Sequence, residues 1–571
     1  MKIKNISLII TASIVIFTSI HSDFFQDLYD KADVLFTDGK RAIVNLKNEF
    51  DKIIAQITDP IILNYIKQTD IAHEVEKVTE VATIRFHNSL PEAEIDAVKN
   101  RREINKMAQE KLLGISLEKP LTIGVSFSGG GDRALVAALG SLCGLDEIKL
   151  LDGVTYLALL SGSTWMAPWF AHGNKIRQYK NMAVENLTTG LEVRNFAEAK
   201  GIFDRLLLVA FQKKPLTTMS IYDALLVNTF FRDFGRERFT KHMVAQFENI
   251  KTGKMPFAIN TAIILDPAFP GEEWMEFNGV EIGSEFLGAF APTWSFNRNF
   301  KAGRSTDFAF DFPFYLGTYG GAIGLNVDLL YRHSIEKELS KLPVPLDVFA
   351  KNFFREILEQ KLTSRIMVKN VSFPPLMSVF RNFTFGVKEG ILKTEETMEL
   401  TDAGLAFNNP IPPLLRYDRQ VDVIMIFDNS AGEGIFQGEE LRKIVEYVKR
   451  KNKPFPEITE QEIQAAGKRT ITVFQGEDPN VPVVMYFPRF KDEGQWNWLK
   501  TKEEFQQFVP ILEGFSTNDC LKTYCNTFNF KYQKHETEQL SAFTEFNVLA
   551  NKEAIIETLK WAAKQRNIVT Q

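Results

Sequence analysis

Residues 121–140 read LTIGVSFSGGGDRALVAALG. Leu121 to Phe127 is an unbroken run of apolar and small residues, the pattern of a strand buried on both faces. Ser128-Gly129-Gly130-Gly131 predicts a tight turn, and Asp132 to Leu139 a helix. Three consecutive glycines let the backbone turn sharply and leave its N–H groups bare at a helix N-terminus, where the helix dipole favours negative charge. Two chemistries use that device. One is a dinucleotide cradle, because Gly129, Gly131 and Ala134 fit G-x-G-x-x-A. The other is an oxyanion hole for acyl transfer. A phosphate-binding P-loop is excluded, since no G-K-[ST] follows.

The next strand pattern, Thr155 to Leu160, ends abruptly in Ser161-Gly162-Ser163-Thr164-Trp165. A serine at the end of a buried strand, with glycine opening a helix behind it, is how an elbow presents a hydroxyl. The G-x-S-x-G spacing is half met, with Leu159 and Ser163 at the outer positions. A dinucleotide site would want an acidic residue at the end of this second strand. None follows Leu160; Asp146 and Asp152 precede the strand. The glycine turn is therefore read with the serine. Short β-type runs alternating with helical patterns from Leu121 onward predict an α/β domain. Upstream, Ser89-Leu90-Pro91-Glu92 predicts a helix start with Ser89 as cap, and Gly114 its end. Residues 23–88 carry apolar residues at helical spacing and read as a helical N-terminal extension.

A serine nucleophile needs a base. None of the seven histidines, His21, His73, His87, His172, His242, His333 and His535, has a context that marks it as one. His172 is the only one near the serine. The other candidate is a carboxylate, and the best placed is Asp402, in a turn (Asp402-Ala403-Gly404) that leads through a proline-rich stretch to the apolar strand Val421–Phe427. Active-site carboxylates often occupy such loops, but an aspartate in a turn also simply caps it.

Composition narrows the class. Of 571 residues, 67 are Lys or Arg and 72 Asp or Glu, so the net charge of −5 offers no basic excess for nucleic-acid phosphates. With 45% hydrophobic and 24% charged residues the chain can bury a large core. The 48 Phe residues are mostly core by expectation. Three cysteines, Cys143, Cys520 and Cys525, exclude a disulfide scaffold or zinc-finger array. Cys143 reads as a buried hydrophobe, while Cys520 and Cys525 could close a small loop or stay free. No metal-ligand spacing appears, and no cofactor is expected. Lys2, Lys4 and the uncharged stretch Ile6–Ile20 resemble a signal peptide ending near Ser22, which predicts export, secreted or at the cell envelope, with an uncleaved anchor as the alternative.

Taken in order, SGGGDRA, LSGSTW and DAGLAFNNPIPPLL resemble the catalytic domain of group IV cytosolic phospholipase A2 and the related lysophospholipase/phospholipase B enzymes. EEWMEFNGVEIGS (272–284), KNKPFPEIT (451–459), CNTFNFKYQ (525–533) and FTEFNVLAN (543–551) extend the resemblance from about residue 89 to the C-terminus. It implies a central mixed sheet flanked by helices, with a lid or cap region, in a domain spanning 89–571. It also implies a metal-free Ser–Asp dyad: Ser161 attacks an ester carbonyl of a glycerophospholipid or lysophospholipid, and Asp402 takes its proton. Gly130 and Gly131 would bind the oxyanion, Arg133 the substrate phosphate, and Arg419, 17 residues after Asp402, would support that phosphate site. The implied partner is a phospholipid surface, met peripherally.

Two residues depart from the family pattern. Leu159 stands two before the nucleophile, where the family has glycine, and Asp132 puts a carboxylate beside Arg133, where it could orient the arginine or weaken its hold on phosphate. Where the family's calcium-dependent docking domain would stand, the residues ahead of the motifs read instead as the signal-like segment and the helical extension, so calcium-triggered recruitment is not expected. Two aromatic, cation-bearing segments, residues 286–314 and 351–382, are candidates for contact with lipid as well as for packed core. A patatin-like acyl hydrolase and a lipid-binding relative without activity are the rival readings.

Overall fold

A computed structural model describes residues 60–570 apart from 69–76, 79, 212–213, 240–243, 267–268, 306–308, 311–314, 322–330, 360–375, 389 and 528. The signal-like segment and most of the extension lie outside the described residues.

Eleven strands form one mixed sheet: β1 (Ile123–Phe127), β2 (Tyr156–Leu160), β3 (Phe257–Asp266), β4 (Phe269–Phe277), β5 (Glu281–Ser284), β6 (Ala289–Pro292), β7 (Ser378–Arg381), β8 (Thr397–Asp402), β9 (Val423–Asp428), β10 (Thr472–Phe474) and β11 (Val483–Pro488). Their order is β10-β11-β9-β1-β2-β3-β4-β5-β6, with β8 on β3 and β7 on β8. The core β11-β9-β1-β2-β3 is parallel, and the flanks are antiparallel. The parallel strands β1, β2, β9 and β11 are buried along their whole length, as strands with both faces covered must be. Their C-terminal ends point the same way, toward the crevice where ligands bind in sheets of this kind.

One register decides the site. β2 pairs with β3 as far as Leu160 opposite Thr261. β8 runs the other way and pairs with β3 from Leu265 back to Ala262, which faces Asp402. β4 occupies the opposite edge of β3 across this junction. β2 and β8 thus share one edge of β3, and their C-terminal ends meet there.

Helices cover the sheet. Helix α1 (Glu92–Leu113) is sparse in apolar residues because its buried face is polar. Arg101 donates to the carbonyls of Leu151, Val154 and Gly253, and Gln109 to those of Leu121 and Gly153, so the helix satisfies backbone acceptors near the strand starts. Gly114 ends α1 in the left-handed conformation, its N–H on Glu110 O. The cap at the other end is Pro91 with no side-chain bond, not Ser89 as the sequence suggested. Helix α2 (Asp132–Glu147) follows β1 and packs closely on the later helix Lys534–Ala550. A Cβ on Gly140 would lie 2.2 Å from Ser541 O, so only glycine lets the two backbones come this close.

The segment before α1 is helical only in part. Pro60–Gln68 is a helix, but Lys77–Val78 and Ala82–Thr83 are strands paired with residues 309–310 and 304–305. Backbone pairing wins here over the helical spacing read from the sequence. Most aromatic side chains of the two segments, where described, are core, while Phe286 and Trp294 are half-buried. Phe290, Phe296, Phe300, Phe353 and Phe354 are buried, Phe296 meeting Phe277 and Tyr315 edge-on and Phe380 at a tilt, and Phe203 meeting Phe353 and Phe354. Cys143 is buried and free, and Cys520 is disulfide-bonded to Cys525.

Candidate active site

Ser161 follows the last residue of β2 and is held at φ 53°, the left-handed region that few side chains adopt without a functional reason. The turn behind it is tied down by hydroxyls: Ser163 Oγ donates to Phe127 O and Leu160 O and accepts from Leu160 N–H, and Thr164 Oγ1 donates to Ser161 O. A Cβ on Gly162 would sit 1.9 Å from Gly131 O, so the elbow presses directly on the glycine turn. Leu159 does not disturb this arrangement. It lies inside β2, fully buried, opposite Phe127 and Asn260.

Asp402, the last residue of β8, receives Ser161 Oγ on its Oδ2 at 2.8 Å. Its Oδ1 accepts from Gly404 N–H at 2.8 Å, which fixes the carboxylate plane. Serine and aspartate are 3% and 1% exposed, so their hydrogen bond is shielded from competing water. The glycine turn faces them so closely that a Cβ on Gly129 would fall 2.6 Å from Ser161 Cβ. Gly130 and Gly131 have φ of 133° and 64°, and neither backbone N–H donates to any described residue. Both are placed at the start of α2, available to a negative charge. His172 is elsewhere, its ring stacked on Phe234 at 4.2 Å.

The two arginines differ. Arg133 is at the site: its Nη2 lies against Gly130, where a Cβ would come within 2.1 Å. Nε donates to Asn429 O, and Nη1 to Cys525 O and Thr527 Oγ1, the disulfide loop thereby bracing the guanidinium. Arg419 is not at the site, which corrects the expectation that it supports a phosphate subsite. It precedes β9, at the opposite end of the strands, and stacks over Tyr156 at the start of β2. Its guanidinium grips Glu94 through Nε and Nη2, Glu276 through Nη2 and Pro413 O through Nη1, all buried. Burial disfavours its charge, but Glu276 and Glu94 more than offset this and hold Arg419 well above its ordinary value. Four of its five N–H donors are thus spent inside this buried cluster.

Among the described residues Asp132 makes no ion pair with Arg133. Burial pushes its carboxyl well above the usual carboxylate range. The folded chain therefore holds this proton more tightly than the unfolded chain, and stability is lost as pH rises out of the unfolded carboxylate range, from about pH 4 upward. Asp132→Asn, which mimics the neutral acid, is expected to unfold at a higher temperature than wild type at pH 8, with the gap closing toward pH 4; thermal unfolding across pH measures it.

Sequence reasoning passed over three residues here. Asn408 clasps the glycine turn: Gly129 N–H donates to its O, and its Nδ2 donates to Gly129 O and Ser430 Oγ. The dipeptide Asn409-Pro410 is a local signal for a turn, but nothing in the sequence marks Asn408 as a clasp. Tyr222, on helix α3 (Thr218–Phe230), has a buried hydroxyl without a hydrogen-bond partner among the described residues; burial first, then the charges of Asp132 and Asp402, push its phenol up. Arg489, just past β11, is buried near Arg133. Neither carries a local sequence signal.

A nucleophile elbow at the end of a parallel strand, facing a glycine turn, marks an acyl-hydrolase type of α/β fold. The chain belongs to the lysophospholipase catalytic domain family, whose model matches residues 123–441, and is of the cytosolic phospholipase A2 type. Relatives include mouse cytosolic phospholipase A2 zeta, 25% identical over 85% of this chain and 63% of that protein. Human cytosolic phospholipase A2 gamma is 27% identical over 69% of this chain and 84% of that one. The chain thus spans just under two thirds of the zeta protein. The solved structure of human GIVD cytosolic phospholipase A2 shares the fold, with a TM-score of 0.67 at 20% identity over 85% of this chain and 68% of that one.

These relatives overturn the expectation of export, secreted or anchored, since they are named as cytosolic phospholipases. The residues that suggested a signal peptide lie outside the described ones, and no helix among the described residues is long and apolar enough to cross a membrane.

Proposed function

We propose that this chain is a serine acyl hydrolase that releases fatty acids from glycerophospholipids or lysophospholipids. The observation that carries the reading is the buried 2.8 Å bond from Ser161 Oγ to Asp402 Oδ2, set against the amides of Gly130 and Gly131, which donate to no described residue. Ser161 Oγ attacks the ester carbonyl as Asp402 accepts its proton. The carbonyl oxygen, now anionic, is received by the glycine amides, each such donor typically supplying ~3–4 kcal/mol. Collapse expels the lysolipid or glycerol-phosphate alkoxide, which takes the proton back from Asp402, and leaves an acyl-serine. Water, deprotonated by Asp402, then cleaves the acyl-serine and restores the hydroxyl. Arg133, beside Gly130, would hold the substrate phosphate, and a phospholipid surface would present the substrate peripherally.

A solved relative, human GIVD cytosolic phospholipase A2, is held with methyl gamma-linolenyl fluorophosphonate. A fluorophosphonate is therefore a suitable probe. The test is fatty-acid release from labelled phosphatidylcholine and lysophosphatidylcholine vesicles, alongside labelling of the protein by that probe. Release together with labelling at Ser161 is expected. A folded protein that neither releases fatty acid nor takes the probe would instead be a lipid-binding relative.

A further inference from the structure

Two guanidiniums lie side by side behind the glycine turn. Arg133 Nε donates to Asn429 O at 2.8 Å, and Arg489 Nη2 to the next carbonyl, Ser430 O, at 3.2 Å. Arg133 and Arg489 are only 1% and 2% exposed. Burial lowers Arg133 to about 10; burial, reinforced by the charge of Arg133, lowers Arg489 to about 9. Buried charges of one sign are costly unless something meets them.

What meets them inside the protein falls short. Among the described residues, Arg489 Nε and Nη1 have no hydrogen-bond partner. Asn429 Nδ2 and the Tyr532 hydroxyl, both buried, are likewise unpartnered there, and Tyr532 lies in the field of Arg133 and Arg489. One carboxylate, Asp428, acts on both arginines, and its oxygens are already engaged: Oδ1 by Ser430, Oδ2 by the Tyr486 hydroxyl at 2.6 Å. A buried excess of donors over acceptors, with cationic character, is the complement of an oxyanion with several oxygens.

We propose that Arg133 and Arg489 form a two-arginine clamp for a terminal phosphate, so that the preferred lipid is a phosphomonoester such as a lysophosphatidic acid. The inference rests on the acyl-hydrolase reading above and adds the head group and a specificity residue, Arg489. A phosphodiester offers two unesterified oxygens; a monoester offers three and nearly a second negative charge. The donors are enclosed, with Tyr532 0% and Asn429 3% exposed, so the far side of the phosphate faces protein.

The test compares kcat/KM for a short-chain 1-acyl-glycerol 3-phosphate with that for the 1-acyl-glycerophosphocholine of the same chain. Wild type should favour the monoester. In Arg489→Met that ratio should fall about tenfold or more, as when a charge-assisted hydrogen bond is lost. Arg489→Lys keeps the buried charge if methionine prevents folding, and its ratio should fall as well because an ammonium lacks the fork. A ratio unchanged in either folded variant would overturn the proposal. A calorimetric titration of Ser161→Ala protein needs no turnover and so separates the clamp from the hydrolase reading. The monoester lipid should bind, and Arg489→Met should abolish binding even if wild type cleaves nothing. Inorganic phosphate binding as tightly as the lipid would overturn the lipid assignment.

Discussion

Replacing Ser161 or Asp402 by alanine is expected to lower acyl-ester turnover by ~10³-fold or more, and replacing both by no more than the worse single change, because the two act as one unit. The serine hydroxyl donates its proton to Asp402 Oδ2. An unassisted hydroxyl is a weak nucleophile at neutral pH, so the aspartate's removal should be felt nearly as much as the serine's. Asp402→Asn sharpens the result. The carboxamide keeps the size and can still accept the Gly404 N–H that now fixes Oδ1, but it cannot take a proton at neutral pH. A loss as deep as that of Asp402→Ala would assign base chemistry to this carboxylate and not merely a structural bond. Burst measurements with a chromogenic ester read the acylation step directly. Activity surviving in Asp402→Asn would place the base elsewhere.

The second large effect is on stability. Arg419→Met should destabilise the chain by ~3–5 kcal/mol, the usual loss when one member of a buried ion cluster is removed. The reason is what stays behind. Glu94 loses both its bonds to the guanidinium, while Glu276 keeps Arg416 at 3.0 Å. Burial is thus left uncompensated chiefly at Glu94, and adding Glu94→Gln should return part of the loss, a coupling that urea unfolding of the single and double variants would resolve. Turnover of phosphate-bearing relative to phosphate-free esters should not change in Arg419→Met. A selective drop for the phosphate-bearing ester would put Arg419 back in substrate binding.

The elements that position the chemistry were legible because each is local. An apolar run, a glycine triplet and a strand broken at Ser161 declare strand, turn and elbow within a few residues, and the structure starts β1, β2 and β9 within two residues of the expected starts. Asp402 was singled out by its turn, but its meeting with Ser161 depends on strand pairing, which no local pattern encodes. Arg419 shows the converse failure. A residue 17 positions from a catalytic candidate can lie at the far end of a strand, and β2 alone, five residues long, separates the two ends by roughly 13 Å. Arg489 and Tyr222 stayed hidden since nothing around them in the chain is unusual; only buried polar atoms without a partner among the described residues, Nε and Nη1 of Arg489 and the Tyr222 hydroxyl, distinguish them.

β3 serves as a ruler for the reaction. The serine arrives along its edge in one direction and the aspartate in the other, abutting at Thr261 and Ala262. Sliding β8 by one residue would move the carboxylate ~3.3 Å and turn it to the opposite face of the sheet. Proton transfer therefore tolerates almost no freedom in that pairing. The chain between β3 and β8, residues 267–396, first folds back along the other edge of β3 as β4 and then returns beside the end of β3 as β8. Insertions in the loops of this excursion, outside the strands β4 and β7 that flank β3 and β8, leave the spacing of nucleophile and base untouched. Evolution is thus free to reshape what approaches the serine while the catalytic distance is inherited unchanged.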